Sequence, residues 1–151
     1  ETAILLRAVY ERLGDVDGAS RQATIVESEE ILGGHFDKHR LAHYWADNET
    51  NPERSLEVAQ ADYATQKDIY ASDTLAWCLL KTGRAVEAKR LIEEAMRLGT
   101  RDAKLFYHAG MIEQALGDRG AAKRYLKAAL DINPAFDLTQ SEVAKHVLIK
   151  G

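Results

Sequence analysis

Apolar and small residues recur along this chain at helical rather than alternating spacing. Leu75, Ala76, Leu79 and Leu80 stand at i, i+1, i+4 and i+5, one face of a helix, where a half-buried strand would alternate. The same pattern, broken by short polar turns, predicts helices near 2–13, 17–32, 36–48, 52–65, 69–82, 85–98, 102–116, 119–131 and 139–149. Gly83, Gly99 and Gly117 sit where helices should stop, and Asn51-Pro52 places a cap residue before a proline at the first helical position. Asp137 or Thr139 opens the last helix, with Thr139-Gln140-Ser141-Glu142 forming a capping box ahead of Val143, Val147 and Leu148. Gly33-Gly34 reads as a helix stop, the alternative being a hinge.

The pattern also repeats. At an offset of 34 residues Gly117 pairs with Gly83, Ala122 with Ala88, Leu126 with Ile92, Ala129 with Ala95 and Ala109 with Leu75. Further steps of the same length give one small position throughout: Ala8, Ala42, Ala76 and Gly110. The copies divide the chain into units at 1–34, 35–68, 69–102 and 103–136, with a last helix at 137–151. The second unit is degenerate, with Glu49 at the turn glycine and Arg54 at a small position, although it keeps Leu41-Ala42 and Ala61. In the first unit Leu13-Gly14-Asp15 falls one residue early relative to Leu116-Gly117-Asp118.

Phe106, Ala109-Gly110, Gly117, Ala122, Leu126, Ala129 and Pro134 resemble the signature of the tetratricopeptide repeat. Leu75-Ala76, Gly83, Ala88, Ile92 and Ala95 repeat it one unit earlier. The resemblance implies an all-α, right-handed superhelical solenoid of antiparallel helix pairs: about four repeats plus a C-terminal capping helix whose polar side carries Glu142, Lys145 and Lys150. It further implies that the first helix of each unit lines a concave surface that binds partners. Side chains expected there are Thr2, Leu5, Val9 and Arg12 in unit one and Phe36, His39, His43 and Ala46 in unit two. Unit three contributes Tyr70, Asp73, Trp77 and Leu80, and unit four Lys104, Tyr107, Met111 and Gln114.

Such a groove is rich in aromatic residues, the types that anchor protein interfaces. The alternative for single members, Trp77 and Met111 above all, is packing between neighbouring helices. The Lys-Asn-Arg clamp with which some relatives hold an acidic C-terminal tail is absent, because its positions carry Leu5, His39, His43, Asp73, Trp77, Tyr107 and Met111. A peptide with apolar anchors fits better, with a basic group for Asp73 and an acidic one for Lys104 or Arg12.

Composition narrows the remaining classes. The 151 residues hold 20 Lys+Arg against 24 Asp+Glu, a formal charge of −4 that gives no general attraction to nucleic acid or anionic lipid. With 46% hydrophobic residues the chain can bury a core, yet no apolar run approaches the roughly 18 residues of a membrane span. The lone Cys78 excludes an intramolecular disulfide and reads as a small buried hydrophobe rather than a nucleophile. The carboxylate pairs Glu29-Glu30 and Glu93-Glu94, and the basic cluster Lys123, Arg124 and Lys127, read as solvated faces. No catalytic residues and no cofactor are expected, and the compartment stays open. The chain begins at Glu1 and its first helix lacks an evident cap, so the segment is expected to start inside a longer array.

His35, His39, His43 and Asp47 follow one another at i, i+4 spacing. Adjacent pairs of such residues can chelate a metal, so His39 and His43 are candidate ligands for Zn²⁺ or Ni²⁺, although spacing alone favours groove-lining polar residues. The same two histidines could make the groove pH-sensitive. The expected function is a protein-interaction module that binds a peptide or partner segment in the aromatic groove. The alternatives are self-association through Ile4, Leu6 and Val9 of the first helix, giving a homo-oligomer, and a metal- or pH-responsive sensor built on His39 and His43.

Overall fold

A computed structural model describes residues 2–31 and 38–150. Phe36, His35 and the Gly33-Gly34 pair lie outside the described residues, as do the side chains of Glu29 and Glu30. The described residues form α-helices and connecting turns: α1 (Thr2–Leu13), α2 (Val16–Ile31), α3 (Lys38–Asp47), α4 (Pro52–Thr65), α5 (Ile69–Lys81), α6 (Ala85–Met96), α7 (Ala103–Leu116), α8 (Arg119–Ile132) and α9 (Gln140–Lys150). The fold is an all-α helical repeat, as the periodicity predicts. None of these helices is long and apolar enough to cross a membrane.

The chain divides into two compact units, Glu1–Asp37 and Lys38–Gly151. The first is the hairpin of α1 and α2, in which Ala19 and Val26 are buried. In the second, α3 packs on α4 and α5, α5 on α6 and α7, α7 on α6 and α8, and α9 on α8. Each first helix therefore meets its own partner and the next first helix. Small residues permit the close approach: Ala42, Ala76, Ala88 and Ala122 have no exposed surface. Ile92, Ile112 and Leu126 fill the space between helices, joined by Ala144 of α9.

Aspartates cap the starts of α5, α7 and α8. Asp68 Oδ1 accepts from Ala71 N at 2.8 Å, Asp118 Oδ1 from Ala121 N at 2.9 Å, and Asp102 Oδ1 from both Lys104 N and Leu105 N at 2.8 and 3.0 Å. At α9 the acceptor is Asp137, which takes the N–H groups of Thr139 and Gln140 at 2.9 and 3.0 Å. The helix thus opens on an Asp137 turn rather than on the Thr139-Glu142 box. Asn51 does not cap α4 with its side chain; it adopts a left-handed conformation, φ 48°, ahead of Pro52.

The second unit departs from the 34-residue period in a specific way. In α4 the buried residues are Ser55, Ala59 and Asp62, whereas Arg54 and Ala61 are exposed. The alignment that pairs Ala61 with Ala95 is therefore one residue out, and the small position expected at Arg54 is filled by Ser55. Its hydroxyl donates to the Ala42 carbonyl at 2.8 Å, which lets α3 and α4 approach where the other units use alanine.

Glu49 stands where Gly83 and Gly117 turn the chain, and it takes the same left-handed conformation: φ is 54°, against 78° and 85° for the glycines. A Cβ in this region meets its own backbone, at about 1–2 kcal/mol per residue. The Lys81 ion pair at 3.2 Å is exposed on the Glu49 side and returns little. Glu49→Gly is therefore expected to stabilise the protein by about 0.5–1 kcal/mol once the greater freedom of glycine in the unfolded chain is deducted. Chemical denaturation followed by circular dichroism checks it, and a lower midpoint for the variant contradicts it.

Candidate functional site

Within the compact unit Lys38–Gly151, helices α3, α5 and α7 share a face on which polar and aromatic side chains meet. Asp73 on α5 is buried between two histidines: His108 Nδ1 donates to its Oδ1 at 2.8 Å, and His43 Nε2 stands 3.9 Å from its Oδ2. The His43 and His108 rings stack at 5.3 Å, and Trp77 stacks on His108 at 4.2 Å with an interplanar angle of 21°. Trp77 Nε1 then donates to Asp47 Oδ1 at 2.7 Å. Tyr107 closes the group, with ring centroids 5.7 Å from Trp77 and 5.4 Å from Phe136. Lys104 Nζ lies 3.8 Å from Asp47 Oδ2 and 3.6 Å from Asp137 Oδ2.

This arrangement corrects part of the sequence expectation. Trp77 and Tyr107 are 2% and 3% exposed, and Asp73 is buried with them, so these three do not line an open groove. They pack against one another and against His108 because the first helices approach closely at Ala42 and Ala76. The accessible residues of the face are Tyr70, 60% exposed, with partly exposed His39, His43, Lys104 and Met111 around the buried group. Leu5 and Val9 belong to α1 in the other compact unit and are exposed there.

Sequence reasoning missed His108, Phe136 and Gln140 as members of the face. His108 falls one place beyond the expected inward position 107, and the period says nothing about a polar residue there. Gln140 reaches Asp47 across 93 positions, a pairing without any local signal.

Burial sets the electrostatics. It pushes the pKa of His43 from 6.5 down to about 3, with His108, Lys104 and His39 acting in the same sense and Asp73 against them. The folded protein therefore refuses a proton that the unfolded chain accepts below pH 6.5. Above that pH the group contributes nothing to the pH dependence; as pH falls from 6.5 towards 3 the native state loses up to about 1.4 kcal/mol per pH unit. His43→Asn is expected to flatten the stability profile between pH 6.5 and 5, measured by urea denaturation at each pH. An unchanged slope contradicts the assignment.

Burial also governs the Cys78 thiol. Cys78 is buried, shares a 3.0 Å hydrogen bond with the Ser55 hydroxyl, and has its thiol pushed up to about 12, chiefly by burial. It stays protonated and unreactive. His39 Nδ1 lies 2.9 Å from Asp62 Oδ2 on α4, while His43 faces Asp73, so the two histidines turn to different carboxylates. Among the described residues no three His, Cys, Asp or Glu side chains converge on a metal-sized site.

Two comparisons bear on identity. A search of curated proteins finds no match to the chain. The family model of the tetratricopeptide repeat matches residues 103–136, the segment of α7, α8 and the turn that follows. That match identifies residues 103–136 as similar to a tetratricopeptide repeat, and the helical repeat of the described residues agrees with it.

Proposed function

We propose that the chain binds a peptide or partner segment along the face formed by α3, α5 and α7. The coarser part follows from the family match, because tetratricopeptide repeats are protein-interaction modules and typically not catalytic. What supports the finer part is the composition of the face. His43, Asp47, Asp73, Trp77, Lys104 and His108 join in one polar and aromatic group across three helices that aliphatic residues could pack equally well. Among the described residues His43 Nδ1 and His108 Nε2 are buried in it without a hydrogen-bond partner, an arrangement that packing alone would not favour. On the same helices Tyr70 stands one turn before Asp73 and Met111 one turn after Tyr107, an aromatic ring and a thioether of the kinds favoured at interfaces, while Lys104 adds a cation beside Asp47.

The test is a peptide display library selected on the full chain. Selected peptides are expected to lose at least tenfold in affinity with Lys104→Ala or the double variant Tyr70→Ala and Met111→Ala, whose melting temperatures should stay near that of the parent. Peptides that bind with affinity indifferent to these substitutions place the site elsewhere and refute the proposal.

A second reading has support on α1, where Leu5, Leu6, Val9 and Leu13 are exposed. Such an apolar stripe suits self-association. Sedimentation at high concentration decides it, since a clean monomer removes the idea.

A further inference from the structure

The turn between α8 and α9 and the first residue of α9 sit on the face just described. The Phe136 ring packs on Tyr107 at 5.4 Å, Asp137 Oδ2 stands 3.6 Å from Lys104 Nζ, and Gln140 Nε2 donates to Asp47 Oδ1 at 2.8 Å. Side chains at i, i+1 and i+4 thus engage α7 twice and α3 once. A capping helix has a different task, which is to cover the apolar side of the last repeat. Val143, Ala144, Val147 and Leu148 perform it as part of the core. The reach back to Asp47 on α3 contributes nothing to covering α8, and the fit is incomplete: Gln140 is buried, yet its Oε1 has no hydrogen-bond partner among the described residues.

We infer that residues 136–140 are an internal ligand of the peptide-binding face, standing in for a partner segment that carries an aromatic residue, an acidic residue beside it and a carboxamide three positions further on. The inference rests on the peptide-binding reading above and specifies its partner. The aromatic group packs on Tyr107, the carboxylate pairs with Lys104 and the amide donates to Asp47. Partner and internal segment compete for the same groups. Because the internal segment is tethered, its effective concentration is on the order of mM, and a free peptide making the same contacts binds the parent chain weakly.

A labelled synthetic peptide with the sequence of residues 133–141, Asn-Pro-Ala-Phe-Asp-Leu-Thr-Gln-Ser, provides the probe. Fluorescence anisotropy is expected to give at least tenfold tighter binding to the full chain carrying Phe136→Ala and Gln140→Ala than to the parent. The same peptide with its Phe, Asp and Gln replaced by Ala is expected to bind neither. On the parent, excess peptide should raise amide exchange across the first turns of α9 while α7 stays protected; should the double variant not fold, this measurement decides alone. Equal affinity for parent and variant, or unchanged α9 exchange with peptide bound, overturns the internal ligand. Library peptides that depend on Lys104 and Met111 but lack the aromatic-acid-amide pattern also overturn it, and leave the peptide-binding reading intact. If no library peptide binds parent or variant, both fall.

Discussion

Gly110→Val is expected to cost about 3 kcal/mol or more, a large share of the 5–15 kcal/mol that holds an ordinary domain together. A Cβ built at Gly110 comes within 2.7 Å of both Cγ and Cδ2 of Leu126 and within 3.2 Å of its backbone nitrogen. Leu126 has no exposed surface, so it cannot step aside into solvent. Relief requires α7 and α8 to separate, and separation loosens contacts along the whole pair. Overpacking of this kind costs about 1–3 kcal/mol for added methyl groups, and the β-branch of valine adds two of them. Gly110→Ala is milder, near 1–2 kcal/mol, because alanine recovers about 1 kcal/mol of helix propensity. The contact itself is tested by a double-mutant cycle. Leu126→Ala alone is expected to cost about 2–5 kcal/mol through its cavity, yet combined with Gly110→Ala it should cost clearly less than the sum of the two. Additive costs would mean that the clash is not with Leu126.

The helical architecture was legible because period and punctuation agree in most of the chain. Helices set by apolar spacing end within a few residues of their observed limits, and Gly14, Gly83, Gly99 and Gly117 all turn the chain with positive φ. The second unit shows where period alone misleads. Counting back 34 residues from Ala85, where α6 begins, gives 51, but α4 starts at Pro52. Asn51-Pro52 already marked that start, and its one-residue shift carries through the helix to bury Ser55, Ala59 and Asp62. The steric demand of proline at the first helical position was the more local signal, and it had the register right. The recurring caps Asp68 and Asp102 were equally visible at the 34-residue offset but carried no apolar signature.

The face was legible only in outline. Counting inward positions on first helices found His43, Asp73, Trp77, Lys104 and Tyr107, all of which the fold brings together. It could not say which of them remain accessible. That depends on how far the helices approach and on what lies across them, and both are long-range properties. Trp77 is covered because Asp47, Tyr107 and His108 surround it, two of them from the following unit. Pairings such as Asp47 with Gln140 join chain segments that share no periodic relation, so only the assembled fold reveals them.

Asp47 is where the second large effect is expected. Its Oδ1 accepts from Trp77 Nε1 at 2.7 Å and from Gln140 Nε2 at 2.8 Å, and both donors belong to buried residues. Asp47→Ala leaves two N–H groups of buried residues without their acceptor, at a side chain that is itself 26% exposed. Each unsatisfied donor costs about 1–3 kcal/mol, so a loss of about 2–4 kcal/mol is expected in urea denaturation. Asp47→Asn keeps a carbonyl oxygen at the same place and forfeits only the charge that strengthens those bonds, which limits the loss to about 1–2 kcal/mol. The two variants separate hydrogen bonding from the ion pair with Lys104, because both remove the charge and only one removes the acceptor. A further readout localises the effect. Loss of the Gln140 bond should speed amide exchange in α9 ahead of global unfolding, while α5, α6, α7 and α8 keep their protection. If alanine and asparagine cost the same, the Lys104 pairing rather than the shared acceptor carries the role of Asp47, and the bond from α9 back to α3 is incidental to stability.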